Sequence, residues 1–205
     1  MTVFDNSKVL KDALRSHAPE EFFDRFVASK EAKSFPADKL NFVSEVINRE
    51  YGIEVGLQEM MVVGSSKLGF AIHAKKKDGI EVLPAYRPFG ENSDIDLSIC
   101  SPKLFNLLWH EISAYFNTMA KMPYRHRKLG EYLAYGWLRQ DHLPATAAPH
   151  LVKCSSLRMT RGIIRNNKDR GHPLLDIGIF HDLEHLKLYQ TRSILLSKRT
   201  LEEPL

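Results

Sequence analysis

Two aspartates one residue apart, Asp94 and Asp96, stand at the head of the apolar run Ile95-Asp96-Leu97-Ser98-Ile99-Cys100. In an extended strand, residues i and i+2 face the same side, so these carboxylates share a face at about 7 Å between Cα atoms while Ile95 turns into the core. Like charges held that close repel, and a cation between them relieves the cost. Oxygen ligands of this kind suit Mg²⁺ or Mn²⁺, which bind through one or two carboxylates, waters and substrate phosphates. Upstream, Val62-Val63-Gly64-Ser65-Ser66-Lys67 closes another apolar run in a small polar turn. Gly64 accepts backbone angles that other residues avoid. The N–H groups and hydroxyls of Ser65 and Ser66, with the charge of Lys67, suit phosphate oxygens. A Gly-Ser pair alone is common in turns, and an isolated Asp-x-Asp is often a solvated strand edge, so the informative feature is the two in this order.

The elements that must position these residues are legible as periodicities. Residues 1–52 read as helical, with Phe22, Phe23, Phe26 and Val27, then Leu40, Phe42, Val43, Val46 and Ile47, recurring at helical intervals. Pro19 fits the first turn of a helix, Ser34 to Asp38 separates it from the next, and Tyr51-Gly52 ends the section. Met60 to Val63 reads as a buried strand, Phe70 to Ile72 as a second short one, Lys75 to Gly79 as a turn and Pro84 to Asn92 as a loop. Ile95 to Cys100 is the strand behind the aspartates, and Ser101-Pro102 opens a helix as cap and first-turn proline. Helices are expected over much of Tyr124 to Arg139 and from about Val152 to Ile164. Leu174 to Phe180 reads as a late strand, and Asp182 as the cap of a last helix to about Leu196. The order predicts one α/β (α+β) domain over 1–205: a helical part at 1–52, a core at 53–120 and helices with a late strand at 121–205, forming a small mixed sheet flanked by helices.

Composition fits a folded protein with a basic tilt. Of 205 residues, 43% are hydrophobic and 26% charged, and 29 Lys plus Arg against 25 Asp plus Glu suit a polyanionic partner. The basic residues cluster at Lys121 to Arg139 and Lys153 to Arg170. No basic leader with an apolar core and no run of 18 apolar residues is found, so neither export nor membrane insertion is expected. Cys100 and Cys154 lack metal spacing and disulfide density, which predicts reduced thiols and a cytoplasmic location.

The pair of motifs, Val62-Val63-Gly64-Ser65 and Ser93-Asp94-Ile95-Asp96-Leu97-Ser98-Ile99, resembles the DNA polymerase β-like nucleotidyltransferase superfamily over residues 60 to about 120. The resemblance implies transfer of a nucleoside monophosphate from an NTP or dNTP to an acceptor hydroxyl, with pyrophosphate released. It implies that Gly64 and Ser65 grip the triphosphate and that Asp94 and Asp96 ligate two Mg²⁺ or Mn²⁺ ions. Ser66 and Lys67 complete the nucleotide-binding set on this side, and Lys153, Arg158 and Arg161 are the candidates from the later basic stretch. Asp176, between Leu175 and Ile177, matches the superfamily's third acid, a catalytic and metal-binding position. Asp182 is read instead as a helix cap and Glu184 as a first-turn acid. The spacing departs from the compact family pattern and requires an inserted hairpin or loop at 74–92, where Lys75 to Lys77, Tyr86 and Arg87 are within reach of a base or acceptor.

The stretch Ile179 to Tyr189 is similar to the C-terminal part of nucleotidyltransferases encoded beside membrane proteins in anti-phage operons, including the Hailong type. That similarity implies a defence role, templateless synthesis of short oligonucleotides and a membrane effector encoded nearby as partner; the acceptor is nucleic acid or protein. The competing readings are a catalytically silent binding module or antitoxin, a modifier of tRNA or of a protein hydroxyl, and a metal-dependent nuclease. His181 and His185, four apart, share a helix face suited to a metal, with nothing in the sequence supplying further ligands. Trp137 and the tyrosines read as core, or as a surface on which a base stacks.

Overall fold

The computed structural model describes residues 3–28, 32, 35, 37–90, 93–119, 127–139 and 175–202. Helix α1, Ser7–Ser16, starts where the Asn6 side chain accepts a hydrogen bond from the Lys8 N–H at 2.7 Å. Pro19 sits in the first turn of α2, Pro19–Phe22, which passes into a π-helical turn, Phe23–Ala28. Helix α3, Ala37–Tyr51, stops at Gly52, whose φ of 66° is left-handed.

Strand β1, Met60–Val63, runs straight into α4, Gly64–Leu68, so the expected Gly-Ser turn is the opening of a five-residue helix. The expected strand at Phe70 to Ile72 does not form; Phe70 makes an isolated bridge to Pro88. Lys75 to Gly79 is more than a turn. Strand β2, Lys75–Lys77, and strand β3, Ile80–Leu83, make a separate hairpin around Asp78 and Gly79, both at positive φ, within the stretch 74–92.

Strand β4, Ile95–Cys100, is followed by α5, Pro102–Asn117, with Pro102 in its first turn as expected; Ser101 stands at the cap but its side chain makes no capping bond. Of the helix expected across Tyr124 to Arg139, the described residues 127–139 carry α6, Arg127–Ala134. Gly136, at φ 62°, breaks it and starts strand β5, Trp137–Arg139, because the left-handed residue redirects the chain. Strand β6, Leu175–Phe180, and helix α7, Leu183–Glu202, complete the order. The helix expected from Val152 to Ile164 lies outside the described residues.

The four-stranded sheet has the order β1-β4-β6-β5, with β4 and β6 parallel and the outer pairs antiparallel. Helices pack on both faces of the sheet; one face of the central strands is apolar throughout, and the other is apolar only at its Cys100 and Phe180 end. On one face Val62, Leu97, Ile99, Ile177, Ile179 and Leu138 pack with Val43, Ile47, Leu104, Leu108 and Leu129 from α3, α5 and α6. On the other, Val63, Cys100 and Phe180 pack with Leu10, Leu14, Phe22, Phe23, Leu186 and Ile194 from α1, α2, the π-helical turn and α7. The fold is therefore mixed α and β with a small mixed sheet between helical layers. Among the described residues, no helix is long and apolar enough to cross a membrane.

Candidate functional site

Register decides which side chains meet. Directly paired residues lie on one face of a sheet. Val63 pairs with Asp96, Asp96 with Asp176, Ser98 with Gly178, Gly178 with Arg139, and Phe180 with Trp137. One face thus carries an acidic end, a floor of the small residues Ser98 and Gly178, and an aromatic end. Adjacent strands are about 4.8 Å apart, so the Asp96 and Asp176 backbones are immediate neighbours. Asp94 lies one residue before β4 on the same side and is exposed.

Because the floor is small, a cleft of about 490 Å³ remains above it. Gly64, Ser65, Asp96, Asp176 and Arg139 line its charged end, and Val27, Leu68, Trp137, Phe180 and Tyr189 line its apolar part. A side chain at position 64 is opposed twice: φ is 66°, and a Cβ there would collide with Asp96 Oδ2. The backbone at the start of α4 and the Asp96 carboxylate are therefore in contact. Ser66 and Lys67 are buried and turn away from the cleft; the Ser66 hydroxyl donates to the Val63 carbonyl at 2.9 Å. The structure thus brings Gly64, Ser65, Asp96 and Asp176 together, with Asp94 at their margin, and leaves the Ser66 and Lys67 side chains in the interior.

Burial pushes the Asp96 carboxyl up to about 7, helped by the charges of Asp176 and Asp94 and opposed by Arg139. A buried acid crowded by two others is an electrostatic setting that a divalent cation relieves, but the three carboxylates do not bring one ligand atom each within 4.8 Å of one another. Among the described residues, Arg139 on the edge strand sets its charge against Asp96. Lys153 and Arg158 lie outside the described residues, as does Arg161.

The hairpin contributes its stem. Residues 69–73 and 86–90 are tied together by Phe89 N–H to Gly69 O at 2.8 Å and Ala71 N–H to Arg87 O at 2.9 Å. The stem is fixed to α7 by His73 Nε2 and Ser193 Oγ at 2.7 Å, and by Tyr86 Oη and Ser197 Oγ at 3.0 Å. Burial lowers the His73 pKa, opposed by its hydrogen bonding to Ser193. Of the hairpin residues singled out in the sequence, Lys75 and Arg87 line the cleft, whereas Tyr86 serves the stem.

Sequence reasoning missed Arg139, Gly178, His73 and Tyr189. Arg139 was hidden in a stretch read as helix. The available signal was Gly136 followed by Trp137-Leu138-Arg139, a break and then an alternation in which residues 137 and 139 share a face.

A separate cluster lies at the other end of β6. His181, Asp182 and His185 bring one ligand atom each within 4.8 Å of one another, the one such three-residue group among the described residues. Asp182 therefore joins the two histidines. Hydrogen bonds account for the arrangement: Asp182 Oδ1 accepts the His185 N–H at 3.0 Å and meets His185 Nδ1 at 2.8 Å, and Oδ2 meets His181 Nδ1 at 2.8 Å. Although partial burial pushes Asp182 up, those bonds dominate and hold its carboxyl well below the usual range. The helix-cap reading of Asp182 is borne out.

Comparison of the chain with protein-family models, with characterised proteins and with solved structures returned no match.

Proposed function

We propose that this protein is a metal-dependent nucleotidyltransferase that moves a nucleoside monophosphate from an NTP or dNTP to an acceptor hydroxyl. The observation that carries the reading is the contact between the start of α4 and Asp96, with Asp176 paired beside it. A phosphate-suited turn and an acidic pair distant in sequence share one end of one cleft.

In this reading, Asp94, Asp96 and Asp176 would hold Mg²⁺ or Mn²⁺, which would supply positive charge against the triphosphate and lower the pKa of the acceptor hydroxyl. The N–H and hydroxyl of Ser65 orient phosphate oxygens, and Gly64 lets the backbone approach them. Arg139, Lys75 and Arg87 supply fixed positive charge around the cleft. The acceptor oxygen forms a bond to the α-phosphorus, the bond from that phosphorus to the pyrophosphate oxygen breaks, and in this reading Asp176 takes the hydroxyl proton. Positioning and electrostatics carry most of the rate. The resemblance to anti-phage nucleotidyltransferases supports a defence role, with short templateless oligonucleotides as product and a membrane effector as partner.

The test is incubation with each labelled NTP and dNTP in Mg²⁺ or Mn²⁺ without added acceptor, with products resolved by size. A ladder marks templateless polymerisation, and labelled protein marks a protein acceptor. Pyrophosphate release that persists in Asp94→Ala/Asp96→Ala overturns the assignment. No turnover with any nucleotide, alone or with tRNA, favours the binding module.

A further inference from the structure

The junction between β6 and α7 holds a donor set that the nucleotidyl-transfer reading does not use. His181, Asp182 and His185 each bring one ligand atom within 4.8 Å of the others. Their side chains are 36%, 37% and 40% exposed, so an ion arriving from solvent reaches all three. His181 directly follows β6 and stands five residues beyond Asp176, about 17 Å along the chain at the rise of a strand. The cluster is therefore separate from the acidic end of the cleft.

The contacts that assemble it without metal also choose its donors. A carboxylate only accepts, so each Nδ1 at 2.8 Å from an Asp182 oxygen carries the proton that it donates. One carboxylate thus gathers two imidazoles by the same ring nitrogen. The rings are held from outside as well. Phe105 meets His181 edge-on at 5.3 Å, and the His185 ring lies over Gly136, where a Cβ would collide with it. The His181 N–H donates to Gly136 O at 2.9 Å.

We propose that His181, Asp182 and His185 form a binding site for a divalent transition-metal ion of the Zn²⁺ type. Zinc bonds to nitrogen and oxygen are about 2.1 Å long, and donor atoms 2.8 Å apart subtend about 85° at an ion so bound. That angle suits neighbouring ligands around an ion with open positions for water. Binding turns each Nδ1 from its oxygen to the ion, and each imidazole carries its proton on Nε2 instead, so no net proton is released. Asp182 keeps its cap, because Oδ1 has lone pairs for both the His185 N–H and the ion. Two imidazoles with one carboxylate favour Zn²⁺, whereas oxygen ligands alone suit Mg²⁺ or Mn²⁺. The bound ion fastens α7 to β6 and, through Gly136, to β5, the elements that carry Tyr189, Asp176 and Arg139 into the cleft.

The test is calorimetric titration of Zn²⁺ into the metal-free protein, with Mg²⁺ present in excess. Wild type is expected to take up one Zn²⁺ per chain at its tightest site. Asp182→Asn keeps a side chain that caps α7 and removes the charged ligand. That variant and His185→Gln are each expected to weaken uptake by at least about tenfold, the lower scale for losing even a residue that only supports a metal ligand. In wild type, the ring-nitrogen NMR signals of His181 and His185 should follow the proton from Nδ1 to Nε2 as Zn²⁺ is added. No uptake of Zn²⁺, uptake unchanged in either variant, or displacement of the Zn²⁺ by Mg²⁺ overturns the proposal. If the variants do not fold, ring-nitrogen signals that stay in place when Zn²⁺ is added are the overturning result. Each of these outcomes leaves nucleotidyl transfer at the acidic end untouched.

Discussion

Asp96 Oδ2 lies where the side chain of residue 64 would have to begin, so the acid and the glycine occupy one space. Gly64 must also adopt a φ of 66°. Replacement by alanine combines left-handed strain with a collision at the proposed metal-binding carboxylate. Gly64→Ala is expected to cost about 1–3 kcal/mol of stability and to abolish nucleotide turnover. Gly52→Ala is the control: the same φ of 66° but nothing within 4 Å, so it pays strain and keeps activity. Urea unfolding and pyrophosphate release distinguish the two.

Asp96 and Asp176 are directly paired across β4 and β6, whereas Asp94 is exposed before the strand begins. Asp96→Asn and Asp176→Asn are each expected to lower kcat by at least about 10²-fold, the scale of losing one organised electrostatic contact to a reacting group. Circular dichroism should show the fold retained. Turnover close to wild type in either variant removes that residue from the catalytic set.

The Asp96 carboxyl titrates near 7 in the folded, metal-free protein, against an ordinary 3.8. Between those values the folded chain holds a proton that the unfolded chain releases. This group's contribution to stability is thus fully present below about pH 4 and is lost as pH rises through 7. Wild type without metal should therefore lose Tm relative to Asp96→Asn between pH 5 and 8.5, by about 2–4 °C for each kcal/mol. Mn²⁺ competes with the same proton, so its affinity should climb over that interval and level off above pH 7. A pH-independent Tm difference would contradict the assignment of the proton to Asp96.

The hairpin stem is joined to α7 through Tyr86 and Ser197, and through His73 and Ser193. Tyr86→Phe removes one hydroxyl contact, worth about 1 kcal/mol, without changing the ring. Limited trypsin digestion reads the result at Lys75 to Lys77, which are exposed on β2. Cleavage there should be faster in Tyr86→Phe and faster again in the His73→Ala double variant.

Asp182 caps α7 while two imidazoles bond its carboxylate. Asp182→Ala is expected to cost about 1 kcal/mol, the scale of a lost cap. Because the folded carboxyl titrates below its unfolded value, this contribution is present above about pH 4 and disappears as pH falls below it. Thermal melts from about pH 7 down into strong acid should show the gap between wild type and variant begin to narrow below about pH 4 and go on narrowing as the folded carboxyl takes up its proton.

Local chemistry made several parts of this protein readable from the sequence. Val62-Val63-Gly64 had to be a strand leaving through a residue free to take positive φ. Asp94-Ile95-Asp96 had to show two acids on one face with an apolar residue opposite, and Asp182 had the type and place of a cap. These follow from alternation and from the steric freedom of glycine, which act within a few residues. The direction of Ser66 and Lys67 was not readable, because it depends on α4 starting at Gly64 and turning both inward. Nor was the partnership of Asp96 with Asp176, 80 residues later, since strand register is set by which apolar faces bury together. Arg139 and Trp137 reached the cleft only because Gly136 ended a helix early and β5 joined the far edge of the sheet. Residue types supplied the chemistry in short stretches, and burial of both sheet faces decided which stretches would meet.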